Sequence, residues 1–313
     1  MNDEHGFEPE MANPRAERVK EVARLATRSG RSKRGAFLAE GPQAVREALR
    51  SHDAAVSAGH QGIVQEVFAT PDAIHRHPDL TTGRGRIHWR SVTPEVLAAM
   101  ADTVTPQGIL AVCGIPETTL DAVFGAAPRL VAVLCRVQDP GNAGTILRAA
   151  DAAGADAIVL TEGSVDIYNP KAVRSTVGSV FHLPIVTGVA FQQVVEAAAA
   201  AGSQLLAADG YGAVDLDALQ DESAARRGGA QPSTGGDIGH QSGTAVVPGE
   251  TPRLEDATAW LFGNEAQGLD ERELAAAGHR VAVPLYGVAE SLNVGTAATV
   301  CLYASARAQR RRA

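Results

Sequence analysis

The chain has 313 residues, 45% hydrophobic and 20% charged, with a formal net charge of −8. That length suggests two domains, and that composition supports a sizeable core. No run of about 18 apolar residues occurs, so no membrane-spanning helix is expected; a net negative charge taken alone argues against nucleic acid.

Residues 1–12 read as a disordered tail. The opening MNDEHGFEPEMANPRAERV is acidic and lacks an apolar core region, so no signal peptide is expected. From Asn13 to Arg50 the balance reverses. Ten basic residues, Arg28, Arg31, Lys33 and Arg34 among them, face only Glu17, Glu21, Glu40 and Glu47. The C-terminus adds Arg307, Arg310, Arg311 and Arg312. Phosphate contacts need local rather than global charge, although for a charge run by itself solvated helix faces are the favoured reading.

Residues Glu17 to Thr27 suggest an exposed basic helix, and Ala36 to Ala39 a short strand. Pro42 to Leu49 reads as a helix with proline in its first turn. Strand-like runs follow at Gly62–Ala69, Arg86–Trp89 and Ile109–Cys113, with helices at Pro71–His77 and Pro94–Ala101. This is a small α/β domain over 13–115. A linker is expected at 116–128.

From 129 to 313 the alternation is cleaner. Leu130–Cys135 is a continuous apolar run of the kind buried on both faces of a parallel sheet. A helix from about Ala143 to Ala153 follows, with Gly154 where a C-cap glycine belongs. Asp156–Leu160 is the next strand. Then come a helix at Pro170–Val180, a strand at Pro184–Thr187, a helix at Phe191–Ala201 and a strand at Gln204–Ala208. Residues 221–252, rich in Gly, Ser, Pro and Ala, read as a flexible insertion. The pattern resumes with the strand Trp260–Phe262, a helix from about Asp270, the strand Val281–Val283 and a last helix. Cys113, Cys135 and Cys301 lie far apart with no CxxC, against a disulfide framework or a cysteine zinc site. A reducing cytoplasm fits, and no metal is expected.

Ligands in open parallel sheets bind outside the carboxyl ends of strands, so three loops draw the eye. Loop one, QDPGNAGTILRAAD, has no GxGxxG and no GxxxxGK[ST], which excludes the dinucleotide and P-loop fingerprints. Asn142 is either a helix cap or a site residue. Arg148, amid apolar neighbours, either makes an ion pair with Asp151 or Glu265 or reaches a phosphate. Loop two, LFGNEAQGL, places Glu265 between Gly263 and Gly268; the plain alternative is a tight turn. Loop three, PLYGVAESLN, offers Ser291 and Asn293 as hydrogen-bonding groups or caps. With no GxSxG elbow, Ser291 is not a nucleophile.

Together these loops resemble the three signature motifs of the SpoU family of RNA ribose 2'-O-methyltransferases, within the trefoil-knotted enzymes that use S-adenosylmethionine. The carriers are Asn142-x5-Arg148, Gly263-Asn264-Glu265-x-x-Gly268-Leu269, and Pro284-x-x-Gly287 followed by Ser291-Leu292-Asn293-Val294. NPKAVRSTVGSVFHLP (Asn169–Pro184) is similar to the family's middle region, and GAFLAEGPQAVREAL resembles the L30e-like domain of its ribosomal-RNA branch. Gly295-Thr296 stands where a serine is common, and Val283 replaces a commoner isoleucine.

The resemblance implies an L30e-like domain that binds RNA through Arg28, Arg31, Lys33 and Arg34, followed by a trefoil-knot methyltransferase domain. It implies an S-adenosylmethionine site at Gly263, Val283, Leu285 and Leu292, built from backbone groups. Arg148, Asn142, Glu265, Ser291 and Asn293 become the catalytic set. A guanidinium is a poor base at neutral pH, so Arg148 is expected to orient the ribose hydroxyl and stabilise the developing alkoxide. A homodimer through the last helix is implied. Ribosomal RNA is the expected substrate; the alternatives are transfer RNA or a non-catalytic RNA-binding protein that keeps the fold.

Overall fold

Apolar runs and their punctuation sort the chain into two compact units in a computed structural model, which describes residues 8–81, 87–227 and 251–310. One unit comprises Met1–Pro116 and Asp166–His182; the other comprises Glu117–Val165 and Leu183–Ala313.

In chain order the strands are β1 (Glu8–Met11), β2 (Ala36–Glu40), β3 (Val64–Ala69), β4 (His88–Val92), β5 (Ile109–Gly114), β6 (Leu130–Leu134), β7 (Ala157–Thr161), β8 (Ile185–Val189), β9 (Gln204–Ala208), β10 (Val214–Asp215), β11 (Thr258–Phe262) and β12 (His279–Ala282). The helices are α1 (Glu17–Ala23), α2 (Arg28–Arg34), α3 (Pro42–Ser57), α4 (Pro71–Arg76), α5 (Pro78–Thr81), α6 (Pro94–Met100), α7 (Leu120–Gly125), α8 (Pro140–Ala153), α9 (Pro170–Thr176), α10 (Phe191–Ala200), α11 (Leu216–Arg227), α12 (Glu271–Ala276) and α13 (Val294–Arg310).

The first unit holds a mixed sheet in the order β1-β4-β3-β5-β2, with β5 antiparallel to both of its neighbours. One layer of its core gathers Val19, Val22 and Leu25 from the basic N-terminal region with Leu38, Phe68, Leu97 and Met100. The expected basic helix therefore has a buried face as well as an exposed one. It is also divided. A 3-10 turn at Arg24–Ala26 follows α1, and the Thr27 hydroxyl then caps α2 by accepting from Gly30 N at 3.1 Å. Glu8–Met11, within the tail expected to be disordered, forms β1 beside β4.

Residues 166–182 belong to this first unit. Asn169 caps α9 by accepting from Ala172 N at 3.0 Å, and the helix stops at Thr176 because Val177 and Gly178 adopt positive φ, 53° and 101°. The segment is pinned by Arg31, whose side chain is 4% exposed. Its Nε and Nη2 donate to Asp166 Oδ2 at 2.9 and 2.6 Å, and its Nη1 donates to the carbonyls of Leu25 and Ala26 at 2.8 and 2.9 Å.

The second unit is built on a parallel seven-stranded sheet in the order β10-β12-β9-β11-β6-β7-β8. Every residue of β6, β7 and β11 is buried, as the unbroken apolar runs require. The expected linker carries α7, because Leu120, Val123 and Phe124 recur at helical spacing and pack into the core beneath the sheet. The expected insertion begins inside α11, where Leu216, Leu219 and Ser223 form a buried face. Residues 228–250 of that insertion lie outside the described residues. The last helix presents Gly295, Ala298, Cys301, Leu302 and Ser305 inward, and its Ser305 Oγ accepts from the buried indole of Trp260 at 2.9 Å.

Replacing Arg31 with alanine leaves Asp166 Oδ2 and two carbonyls without their donor. We expect a loss of about 3 kcal/mol in urea unfolding of the full chain, with little recovery in Arg31→Lys. A loss under about 0.5 kcal/mol, the range of neutral surface changes, would contradict this placement.

Candidate active site

The carboxyl ends of β6, β11 and β12 carry loops one, two and three on a single edge of the parallel sheet. Loop one leads into α8. Asp139, rather than Asn142, caps this helix, with Oδ1 accepting from Asn142 N at 2.8 Å; Pro140 takes the first helical position. Gly154 closes the helix with φ 67°. Relieved of capping, the Asn142 side chain serves elsewhere. Its Nδ2 donates to Glu265 Oε1 at 3.1 Å, and its Oδ1 accepts from Asn293 Nδ2 at 2.9 Å. Asn293 in turn caps α13, with Oδ1 accepting from Gly295 N at 2.9 Å and Thr296 N at 3.4 Å. One residue from each loop thus joins a single chain, Glu265–Asn142–Asn293.

Glu265 also accepts from the backbone N–H groups of Asp139 at 3.0 Å and Gln138 at 3.2 Å. Burial pushes its carboxyl upward. Hydrogen bonds from its own N–H, the Asn142 amide and these two N–H groups outweigh burial and hold it below the ordinary value of 4.5. Its place beside the start of α8 favours the anion further.

Loop two is a closed turn. Asn264 N donates to Gly268 O at 3.0 Å and Gly268 N to Asn264 O at 2.8 Å, while Asn264 Oδ1 accepts from Ala266 N and Gln267 N at 2.9 and 3.1 Å. Gly263 is required by close approach, since a Cβ there would sit 2.3 Å from the Gly268 carbonyl carbon. The turn is anchored by Arg136, which sequence reasoning missed. Arg136 adopts φ 57°; its carbonyl accepts from Asn264 Nδ2 at 3.0 Å, and its guanidinium meets the buried Glu273 through Nε at 3.0 Å and Nη2 at 2.6 Å. A lone arginine after LVAVLC carries no sequence signal for this role.

Loop three is open. Among the described residues no backbone–backbone hydrogen bond is made by residues 283–292 beyond the strand ladder. Val283 and Leu292 are half-buried and Leu285 is exposed. Sequence reasoning also passed over DGYG at the end of β9, which lies between β12 and β11. There Asp209 accepts from Arg280 Nε at 2.6 Å, and Gly212 allows an approach in which a Cβ would meet Arg280 O at 2.5 Å. Its GxG after an apolar strand was the available clue.

Two members of the expected catalytic set stand outside the hydrogen-bonded chain. Ser291 is exposed and makes no hydrogen bond to Asn142, Glu265 or Asn293 among the described residues. Arg148 is exposed on α8, and among the described residues no ion pair joins it to Glu265. Six positions along a helix turn it about 120° away from Asn142. Of the basic residues, Arg28, Lys33 and Arg34 are exposed. Arg31 is not; its buried bonds to Asp166 and two carbonyls correct the expectation that it faces RNA. No group of three or more potential metal ligands occurs among the described residues.

The fold is that of a methyltransferase. A crystal structure of an AdoMet-bound rRNA methyltransferase from Sinorhizobium meliloti matches with a TM-score of 0.72 at 26% identity, covering 96% of this chain and 97% of that one. The SpoU methyltransferase AviRb from Streptomyces viridochromogenes, in complex with AdoMet, matches with 0.71 at 26% identity over 94% and 98% of the two chains. Residues 129–303 match the SpoU rRNA Methylase family, and residues 16–111 match the MRM3-like substrate binding domain. The chain belongs to the SpoU rRNA Methylase family. It is 35% identical to the 23S rRNA (guanosine(2553)-2'-O)-methyltransferase RlmP of Bacillus subtilis, over 92% of this chain and 95% of that protein.

Because folding lowers the Glu265 value, the junction's contribution is fully present above the ordinary carboxylate value and fades as pH falls through the lowered one. The side-chain amide NMR signals of Asn142 and Asn293 should shift together with a midpoint below 4.5. A midpoint at or above that value, or signals that move independently, would contradict the assignment.

Proposed function

We propose that this chain transfers a methyl group from S-adenosylmethionine to a ribose 2'-hydroxyl of RNA, with ribosomal RNA as the substrate class. The observation that carries the reading is the joining of all three signature loops through Asn142, in a chain that belongs to the SpoU family. The 35% identity to a ribosomal-RNA 2'-O-methyltransferase across nearly the full length of both proteins supports the substrate class over transfer RNA.

The residues fit the cofactor. Loop three leaves a run of backbone N–H and C=O groups uncommitted, and these suit the donor and acceptor edge of an adenine. Gly263, Val283, Leu285 and Leu292 would hold it. When bound, S-adenosylmethionine supplies an already activated methyl on a sulfonium. What remains for the protein is positioning and charge. Asn142, fixed by Glu265 and Asn293, holds the loops in register. Exposed Arg148 is free of Glu265 and reaches outward, as a group must that engages an incoming ribose and phosphate. There it orients the 2'-hydroxyl and stabilises the alkoxide that develops. Ser291, on the open turn, contributes a hydroxyl to the ribose. Arg28, Lys33 and Arg34 supply phosphate contacts on the other unit.

The same reading includes a knotted backbone at these loops and a homodimer through α13. The apolar groups left exposed in this region support the dimer: Leu285, Tyr286, Val288, Val300 and Tyr303. Cys113, Cys135 and Cys301 are all free and buried, which agrees with a cytoplasmic setting.

The test is methylation of purified ribosomal RNA with labelled S-adenosylmethionine, read as ribose-linked label that blocks alkaline cleavage at one position. Label on a base, or none with a folded protein that binds the cofactor, would contradict the reading. Arg148→Ala should lower kcat at least about 100-fold while calorimetric cofactor affinity stays unchanged. Leu292→Arg should abolish cofactor binding and leave the fold intact.

A further inference from the structure

A second cleft, within the first unit, is not used by the chemistry above. It encloses about 290 Å³, near the lower end of the range for small-ligand sites, and lies where the start of α3, the loop between α6 and β5, and α9 meet. Its floor is rigid. Glu40, 4% exposed, accepts from Asp102 N and Thr103 N, both at 3.1 Å, and so fixes the path of the α6–β5 loop. Gly41, with φ 89°, allows the Gln107 side chain to lie over it; a Cβ would meet Gln107 Oε1 at 2.5 Å. Arg174 forms one wall. Its Nη2 donates to Asp102 Oδ2 at 3.0 Å, while its Nη1 is enclosed 3.5 Å from Glu40 Oε1 without a hydrogen-bond partner. Val177 forms the rim, 46% exposed and held at φ 53°.

The charges select the occupant. The one guanidinium of the cleft, Arg174, is already matched by Glu40 and Asp102, so it has no uncompensated charge left to hold a phosphate. A planar heterocycle suits the cleft. The Gln107 amide, which makes no hydrogen bond among the described residues, and the Thr105 hydroxyl offer a donor and acceptors to a base edge. The Arg174 guanidinium and the Val177 methyls offer faces for a ring. Val177 is costly to hold in the left-handed region, yet the fold holds it exposed at this rim.

We propose that this cleft receives a single unstacked nucleobase of the RNA substrate, so that the first unit reads an unpaired nucleotide. The inference rests on the reading of the chain as an enzyme acting on RNA. Separate measurements keep the two apart.

The probes are fluorescently labelled RNA hairpins carrying one bulged A, C, G or U, with the same hairpin bearing an abasic bulge as reference. They are titrated into the full-length protein. Wild type should bind at least one bulged hairpin about tenfold more tightly than the abasic one, the scale of one base contact. Gln107→Ala and Val177→Gly should each reduce that preference severalfold, with cofactor affinity and thermal unfolding preserved; glycine suits the positive φ of Val177. Equal binding of abasic and bulged hairpins by wild type, or a preference untouched by both substitutions, would overturn the proposal. Methylation of ribosomal RNA by wild type, measured in parallel, decides the functional reading independently of either outcome.

Discussion

The Asn142 side chain is the constraint that joins the three loops of the second unit. An amide offers a donor and an acceptor on one rigid group. Here the donor goes to Glu265 in loop two and the acceptor to Asn293 in loop three. The three loops are far apart in sequence, and the parallel sheet brings their starting points to one edge. The sheet sets the approach; the amide links all three loops, and Glu265 further ties loop two to the Gln138 and Asp139 N–H groups of loop one. Both ends of the chain finish on helix termini: Glu265 against the N–H groups that lead into α8, and Asn293 on the first N–H groups of α13. Polar groups that would otherwise be left at two helix starts are thereby satisfied.

This arrangement explains why the site has no dyad of base and nucleophile. Asn142 holds loop three through Asn293 and Glu265 holds Asn142, while the backbone of loop three is uncommitted among the described residues. Loop two is a closed turn on Arg136 and Glu273, whereas loop three is open. A rigid partner on one side and an adaptable one on the other suits a cofactor that must enter and leave. Arg148 stands apart from the network, on the exposed side of α8.

Much of this was legible in the sequence, for identifiable reasons. The apolar runs of β6, β7 and β11 announce strands buried on both faces, and Asp139-Pro140 and Gly154 punctuate α8 by backbone rules that any chain obeys. The assignment of Asn142 as cap or site residue was not legible, because Asp139 three positions earlier competes for the same N–H and wins. Arg31 was misread for a similar reason. Its charge is visible in sequence, but its partner Asp166 lies 135 residues away. The segment Asp166–His182, interposed between strands of the second unit, packs with the first, and no periodicity reveals that. Arg136 and the positive φ it adopts carry no signal at all.

The central claim is that Asn142 and Asn293 act as one unit in assembling the cofactor site. A double-mutant cycle reads this directly, with S-adenosylmethionine affinity measured by calorimetry for wild type, Asn142→Ala, Asn293→Ala and the double variant. The account predicts that the double variant loses little more affinity than the worse single one. Fully additive losses would contradict it.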